Sequence, residues 1–395
     1  MFITGKAGTG KSTLLREFIE NTRKKVVVLA PTGIAAINVQ GMTIHSFFKF
    51  KAKFLTINDI EINSHNERLY NSLDAIVIDE CSMVRSDLMD AIDRALRLSI
   101  SMSEPFGGVQ LIFVGDMYQL PPVVSTKEEE IYNSVYESPY FFDAHCMKNI
   151  NLSVLELNKV FRQNDTEFLD VLDNIRRNKT SQSDLDFINA RCIESHNGDS
   201  IILTATNKVA GLINELRLKA IIGESFNSNA TIYGKFESKY FPTEEPLVLK
   251  ENVNVVMLKN DVLQHRYVNG DLGKIVRLED DVITVKIRGD YHSVTKQRWE
   301  NIEYYVDEFD EIEHRVVGSF TQFPVKLAWA ITIHKSQGLT LDKCCVDLGK
   351  GAFSHGQSYV AISRVRNIAD ITFKKPLRKR DIIVDKRVNE FFEER

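Results

Sequence analysis

A glycine-rich octapeptide near the start of the chain constrains the fold more than any other feature. Gly5-Lys6-Ala7-Gly8-Thr9-Gly10-Lys11-Ser12 has the spacing GxxxxGKS; it follows a short apolar, strand-like run and leads straight into the helical pattern STLLREFIE at 12–20. Strand, glycine loop and helix in that order are the context this motif requires. The glycines let the backbone curl so that its N–H groups converge, and the helix N-terminus adds partial positive charge at the same place. Such a point suits a phosphate. Lys11 is placed to reach the β- and γ-phosphates of a nucleotide and Ser12 to ligate Mg²⁺, with Gly8, Thr9, Gly10 and Thr13 completing the cradle.

A unit of this kind buries its strand on both faces, so its neighbours should read as continuous apolar runs. VVVLA at 26–30, DAIVI at 74–78 and VQLIFV at 109–114 do so. Between them SDLMDAIDRALRL at 86–98 is helical, with Leu88, Ile92, Ala95 and Leu96 on one side and Ser86 as the expected N-cap. The alternation predicts a doubly wound α/β domain over 1–150. A second α/β region carries IILTAT at 201–206, a helical stretch after it, and LAWAITI, CCVDL and DITF beyond 325. From 230 to 320 short β runs are separated by turn signals such as Asn269-Gly270, which predicts a small antiparallel barrel or sheet inserted into the second domain. The second domain is then 151–229 together with 321–395.

Charge narrows the partners. The chain of 395 residues has 50 Lys+Arg against 54 Asp+Glu, a net charge of −4, so any polyanion must be held by local grooves and not by the charge of the whole. No apolar run approaches the ~18 residues that would span a bilayer, and no membrane role is expected. The five cysteines, Cys81, Cys146, Cys192, Cys344 and Cys345, are odd in number and contain no CxxC pair. They predict reduced thiols and an intracellular setting.

A nucleotide with Mg²⁺ needs a carboxylate beside the phosphate loop. DAIVI runs directly into Asp79-Glu80, so Asp79 is the candidate for the Mg²⁺ shell, through water, and Glu80 for the base that orients and deprotonates the attacking water. The next strand ends in Gly115-Asp116-Met117-Tyr118-Gln119-Leu120-Pro121-Pro122. Gln119 could contact the γ-phosphate there, or the segment could be no more than a stiff loop; chemistry alone weighs the two equally.

Seven segments then occur in order across residues 5–367: GKAGTGKST, APTGIAAINVQGMTIHSFF, IVIDECSMV, FVGDMYQLPPV, LNKVFRQ, ITIHKSQGLTL and YVAISRVRN. Together they resemble the ordered motifs of superfamily-one DNA helicases, and most specifically the petite-integration-frequency family, a RecD-like branch that moves 5′ to 3′ on single-stranded DNA. The stretch 82–105 is similar to that family's helical signature segment. The resemblance implies two RecA-like doubly wound parallel-sheet lobes, with a small β-barrel insertion in the second and ATP in the cleft between them. It implies roles in DNA repair, recombination and telomere maintenance.

By the same resemblance Gln119 is the γ-phosphate sensor, Arg162 and Arg364 are arginine fingers, and Gln337 and Gly338 approach the nucleotide from the second lobe. An arginine finger is worth ~10³–10⁵ in rate because it neutralises charge on the γ-phosphoryl oxygens. Pro31, Thr32, Gly33, Thr43, His45, Ser46 and Phe47 in the first lobe, and Thr332, His334, Lys335 and Ser336 in the second, are implied to lie on single-stranded DNA. Residues 49–66 are implied to form a wedge that splits a duplex.

The expected partners are single-stranded and forked or structured DNA, bound by a monomer. The expected location is the cytoplasm or nucleoid if the protein is bacterial, and the nucleus or mitochondrion if it is eukaryotic. An ATPase switch or loader without translocation is the alternative. The phenylalanines beyond Phe48 and the basic run Lys374–Arg380 are expected to be amphipathic packing and a solvated charge run. The family's adenine-reading glutamine lies upstream of the phosphate loop, where this sequence has four residues before Gly5, which leaves base selectivity open.

Overall fold

The computed structural model describes residues 1–61, 66–163, 165–193, 200–261 and 264–393. They divide into two compact units, Met1–Phe161 with Glu300–Gly318, and Arg162–Trp299 with Ser319–Arg395.

The first unit is built on six parallel strands. β1 (Phe2–Gly5), β2 (Val26–Ala30), β3 (Met42–Thr43), β4 (Ala75–Ile78), β5 (Gln110–Val114) and β6 (Val154–Leu157) lie in the order β3-β2-β4-β5-β1-β6. The three apolar runs read from sequence are β2, β4 and β5 within a residue at each end. Both faces of this sheet are covered, as a parallel sheet requires. On one face Leu15 of helix α1 (Lys11–Asn21) packs with Val28, Ala75, Val77, Ile112 and Val114. Elsewhere Phe141 stacks on Phe113 at 4.5 Å and meets the edge of Phe2 at 6.0 Å. Burying rings of this size contributes about 1.5–3 kcal/mol each.

β6 pairs in register with β1 from Phe2↔Val154 to Gly5↔Leu157, so the first unit extends to Phe161 and not to residue 150. The sequence hid this strand because it is an edge strand, and Val154, Leu155 and Glu156 face solvent, which removes the apolar run.

The helix Ser86–Ser99 is buried along most of its length, including Asp87, Asp90 and Asp93. These carboxylates accept backbone N–H groups from three separate loops: Asp87 from Leu55 at 3.0 Å, Asp90 from Cys146 at 2.8 Å and His145 at 3.2 Å, and Asp93 from Phe106 at 2.7 Å. Spaced three apart, they fall on one side of the helix and fasten those loops to it. Ser86 is not the N-cap. Arg85 holds that position, and the Ser86 hydroxyl engages the carbonyls of Ser138 and Tyr140.

The second unit has a four-stranded parallel sheet in the order 330–332, 201–204, 344–347, 371–373. Its insertion is antiparallel, as the turn signals between 230 and 320 predicted. An antiparallel sheet orders strands 290–295, 282–287, 272–278, 254–257 and 325–327, and a two-stranded ribbon pairs 226–228 with 247–249. Val255, Ile275, Ile283, Val285, Phe323 and Val325 form its core. Strands 290–295 and 325–327 are the two ends of that sheet's strand order, which is the antiparallel-sheet form of the insertion that the sequence left open beside a barrel.

The hairpin 297–306/312–322 departs furthest from expectation, because Glu300–Gly318 belongs to the first unit. There β3 pairs only with Leu29 and Ala30, which leaves the Val28 N–H on the open flank of β2, and the Tyr304 hydroxyl accepts it at 3.3 Å. Glu303 pairs with Lys49 at 2.8 Å, and Asp310 with Lys25 at 3.3 Å.

Candidate functional site

In the first unit the phosphate loop is shaped by glycines at positions where a side chain would be strained or would collide. Gly8 and Gly10 have φ of 82° and 83°, in the left-handed region. A Cβ on Gly5 would come within 2.6 Å of the Leu157 carbonyl oxygen of β6. The Thr9 hydroxyl ties the turn to the Lys6 carbonyl at 2.9 Å. The Lys11 ammonium donates to the carbonyls of Gly5 at 2.7 Å and Lys6 at 3.0 Å, which holds its charge over the loop. Ser12 and Thr13 are exposed on the first turn of α1.

β4 delivers Asp79 and Glu80 to the same region. The Asp79 N–H is held by the Leu29 carbonyl at 2.9 Å, and Glu80 sits at φ 50°, a conformation uncommon for a residue with a side chain. Burial, then the neighbouring Glu80 carboxylate, push the Asp79 carboxyl up to about 7, while the Lys11 ammonium pulls it down. The effect of Lys11 places the two carboxylates and the loop lysine in one electrostatic neighbourhood. β5 closes on this turn through Gly115, where a Cβ would lie 2.8 Å from the Cys81 sulfur. Gln119 follows on that loop, 7% exposed, with its N–H on the Asp116 carbonyl at 2.9 Å.

Phe161 is a residue that the sequence analysis missed. Its N–H donates to the Gly8 carbonyl at 2.8 Å, the residue is 64% exposed, and Lys159 sits 5.0 Å from the ring centre. A Cβ on Gly10 would be 3.8 Å from that ring. An exposed aromatic face at the mouth of the phosphate loop suits a planar base. Its position immediately before Arg162 in LNKVFRQ was the available signal.

In the first unit's expected DNA track, Thr32 caps helix α2 (Gly33–Asn38) by accepting the Ala35 N–H, and Thr43 caps helix α3 (Ile44–Phe48) by accepting the Ser46 N–H at 3.1 Å. Pro31, Thr32, Gly33, His45 and Ser46 are half-buried at these helix starts. Phe47 is not available to a base. It is 2% exposed and packs against Phe48, Tyr70 and Tyr304, because α3 turns it inward. Phe50 stacks on Phe48 at 5.2 Å and Phe54 meets Tyr132 at 5.6 Å, while Lys49, Lys51 and Lys53 are exposed, as the amphipathic expectation had it. Of the wedge segment 49–66, residues 62–65 lie outside the described residues.

The second unit brings three motifs together. The Arg162 guanidinium donates to the Ser363 carbonyl at 3.0 Å, and Gln163 donates to Ser363 at 3.2 Å and to Val365 at 2.8 Å. Arg364 is 1% exposed; its guanidinium bonds the carbonyls of Val360 at 2.7 Å, Ser336 at 3.2 Å and Leu339 at 3.3 Å, and the Ser363 hydroxyl at 2.6 Å. The LNKVFRQ, HKSQG and SRVR segments therefore share one buried hydrogen-bond network. Gly338 turns the HKSQG loop at φ 79°, and Gln337 is half-buried beside it. Thr332 and Ser336 are buried, with the Thr332 hydroxyl accepting the Lys335 N–H at 3.3 Å. Burial lowers the proton affinity of both His334 and Lys335.

Among the described residues no helix is long and apolar enough to cross a membrane, and all five cysteines are free thiols.

The PIF1-like helicase family model matches residues 1–186. An ATP-dependent DNA helicase Pif1 of Bdellovibrio bacteriovorus is 33% identical over the whole chain and 88% of its own length. The chain spans 60% of the length of a fungal relative from Emericella nidulans named ATP-dependent DNA helicase PIF1, at 30% identity over 99% of the chain. Bacteroides sp. Pif1 in complex with ADP-AlF4 is 38% identical with a TM-score of 0.93, covering all of this chain and 92% of that one. The Bacteroides Pif1 structure with ADP-AlF3 and ssDNA is 39% identical with a TM-score of 0.70 over the same shares. On identity, coverage and fold alike, the chain belongs to the PIF1-like helicase family.

Proposed function

We propose that this chain is an ATP-dependent DNA helicase that moves 5′ to 3′ on single-stranded DNA and separates duplex or structured DNA. The carrying observation is the buried network joining LNKVFRQ, HKSQG and SRVR in the second unit, because a simple phosphate-loop switch needs none of it. In this reading the first unit grips the nucleotide. Loop N–H groups and Lys11 hold the phosphates, Glu80 orients and deprotonates the attacking water, and Gln119 senses the γ-phosphate. Phe161 offers its face to the base.

Hard oxygen donors fit Mg²⁺, and Ser12 with Asp79 supplies them; such sites keep several waters and use only one or two protein ligands. When bound, the ion neutralises phosphate charge. Arg162 and Arg364 provide the transition-state cations, with Gln337 and Gly338 beside them. Pro31, Thr32, Gly33, Thr43, His45 and Ser46, and from the second unit Thr332, His334, Lys335 and Ser336, hold the DNA backbone. A single copy carries every group this scheme uses. The working place is wherever the cell keeps its DNA.

Strand displacement on forks bearing only a 5′ tail or only a 3′ tail tests this reading. The 5′-tailed fork should be opened in an ATP-dependent way and the 3′-tailed fork left intact. Opening of the 3′-tailed fork alone would reverse the polarity, and ATPase activity indifferent to single-stranded DNA would remove the translocase reading.

A further inference from the structure

The basic run Lys374–Arg380 follows the last strand of the second unit's parallel sheet. The four strands 330–332, 201–204, 344–347 and 371–373 are all mutually parallel, so their carboxyl ends share one edge of the second unit's sheet. Loops leaving that edge form the usual ligand face of an open α/β sheet. The HKSQG loop leaves it after Thr332; Gly349–Gly351 leave it two strand spacings away and Lys374–Arg378 three, about 10 and 14 Å at ~4.8 Å per strand.

Between those last two loops lies a cavity of about 450 Å³, lined by Gly349, Lys350, Gly351, Lys375, Arg378 and Asp381 among others. Its shape is built. A Cβ on Gly351, at φ 131°, would lie 2.5 Å from the Asp381 carboxylate, and the buried Asp381 in turn holds Arg378 at 2.9 Å. Lys375 reaches across to the Gly349 carbonyl at 3.0 Å. Asp347 pairs with Lys374, and Asp381 with Arg378. That leaves Lys350, Lys375, Lys379 and Arg380 without a carboxylate partner among the described residues. Two of these uncompensated cations, Lys350 and Lys375, line the cleft itself, which makes it a local anion site in a chain whose net charge is −4.

Resting on the helicase reading above, we infer that this cleft holds backbone phosphate of the same single strand gripped by Thr332–Ser336, and so extends the DNA track along the carboxyl edge of the sheet. The contact is to phosphate and therefore indifferent to sequence.

The test is the double variant Lys350→Gln/Lys375→Gln in the full chain, which spares the Arg378–Asp381 pair. Binding of short and long fluorescent oligothymidylates is measured across salt, with melting temperature as the control for folding and Lys350→Arg/Lys375→Arg as the charge-preserving variant. For the long strand, loss of two phosphate contacts at about −0.7 each should flatten the log K against log salt slope by about 1.4, so a fourfold rise in salt shrinks the wild-type advantage about sevenfold. Affinity for the short strand, ATP turnover on it and melting should match wild type, and the arginine variant should behave as wild type. Identical salt slopes on the long strand, or equal losses on both strands, would overturn the assignment. A wild-type chain that binds neither strand would instead remove the helicase reading itself.

Discussion

Two kinds of charged residue enter the proposed chemistry, and burial distinguishes them. Glu80 is held in a left-handed conformation beside a carboxyl that burial keeps up near 7, an arrangement that costs the fold and is retained where a reaction uses it. Glu80→Gln should keep ATP binding and lower DNA-stimulated turnover by ~10²–10⁴, the usual span for losing a general base. Equilibrium nucleotide binding beside steady-state ATPase measures both. Lys11→Ala should abolish hydrolysis and leave single-strand affinity close to wild type in a filter-binding assay, since the phosphate loop is separate from the helix starts at Thr32 and Thr43.

The arginines differ in a way sequence does not show, because a fully buried arginine is rare and its motif says nothing of its environment. Arg364→Ala removes the donor to three carbonyls, two of them in fully buried bonds, and should lower unfolding free energy by roughly 3 kcal/mol in addition to slowing turnover. Arg162→Ala orphans little, because Gln163 also donates to Ser363. It should cost about 1 kcal/mol while turnover falls as steeply. Denaturant melts of the two variants beside their kcat values separate the structural share from the catalytic one.

At the scale of elements, the interior strands and the phosphate loop were legible because burial on both faces writes itself as apolar runs and backbone curvature as glycines. Edges were not. β6 has three solvent-facing residues, and only its pairing with β1 reveals it. The inward turn of Phe47 depends on Tyr70 and Tyr304, which lie 23 and 257 residues further along the chain. The hairpin tip escaped for the same reason: nothing local in VDEFDEIEH at 306–314 says that it completes the first unit.

Its attachment is electrostatic and so depends on pH. Lys49, with Arg315, depresses the Glu303 carboxyl from an ordinary 4.5 to about 2. A depressed carboxyl adds stability that is complete above about 4.5 and is lost as pH falls toward 2. Backbone amides of 300–318 should therefore lose exchange protection, corrected for intrinsic rates, between pH 5 and pH 3. Glu303→Gln should show the same loss at pH 7. Unchanged protection in both would mean that Tyr304 and its packing hold the hairpin without the ion pair.

For the molecule as a whole, the motifs divide between two units, with Lys11, Asp79, Glu80 and Phe161 in the first and Arg162, Arg364 and the HKSQG loop in the second. A translocase needs its nucleotide and its DNA to sense each other, and that coupling is a free energy shared by both ligands. Whatever factor single-stranded DNA imposes on the affinity for a non-hydrolysable ATP analogue, the analogue must impose the same factor on DNA. Measuring the two dissociation constants with and without the other ligand should give one number, of the order of 5–150. Arg162→Ala, which keeps the phosphate loop and every proposed DNA contact, should draw both factors toward one together. Should they stay at the wild-type value while turnover collapses, Arg162 would act on the transition state alone, and the signal between DNA and nucleotide would have to travel through another residue of the Ser336–Ser363–Arg364 network.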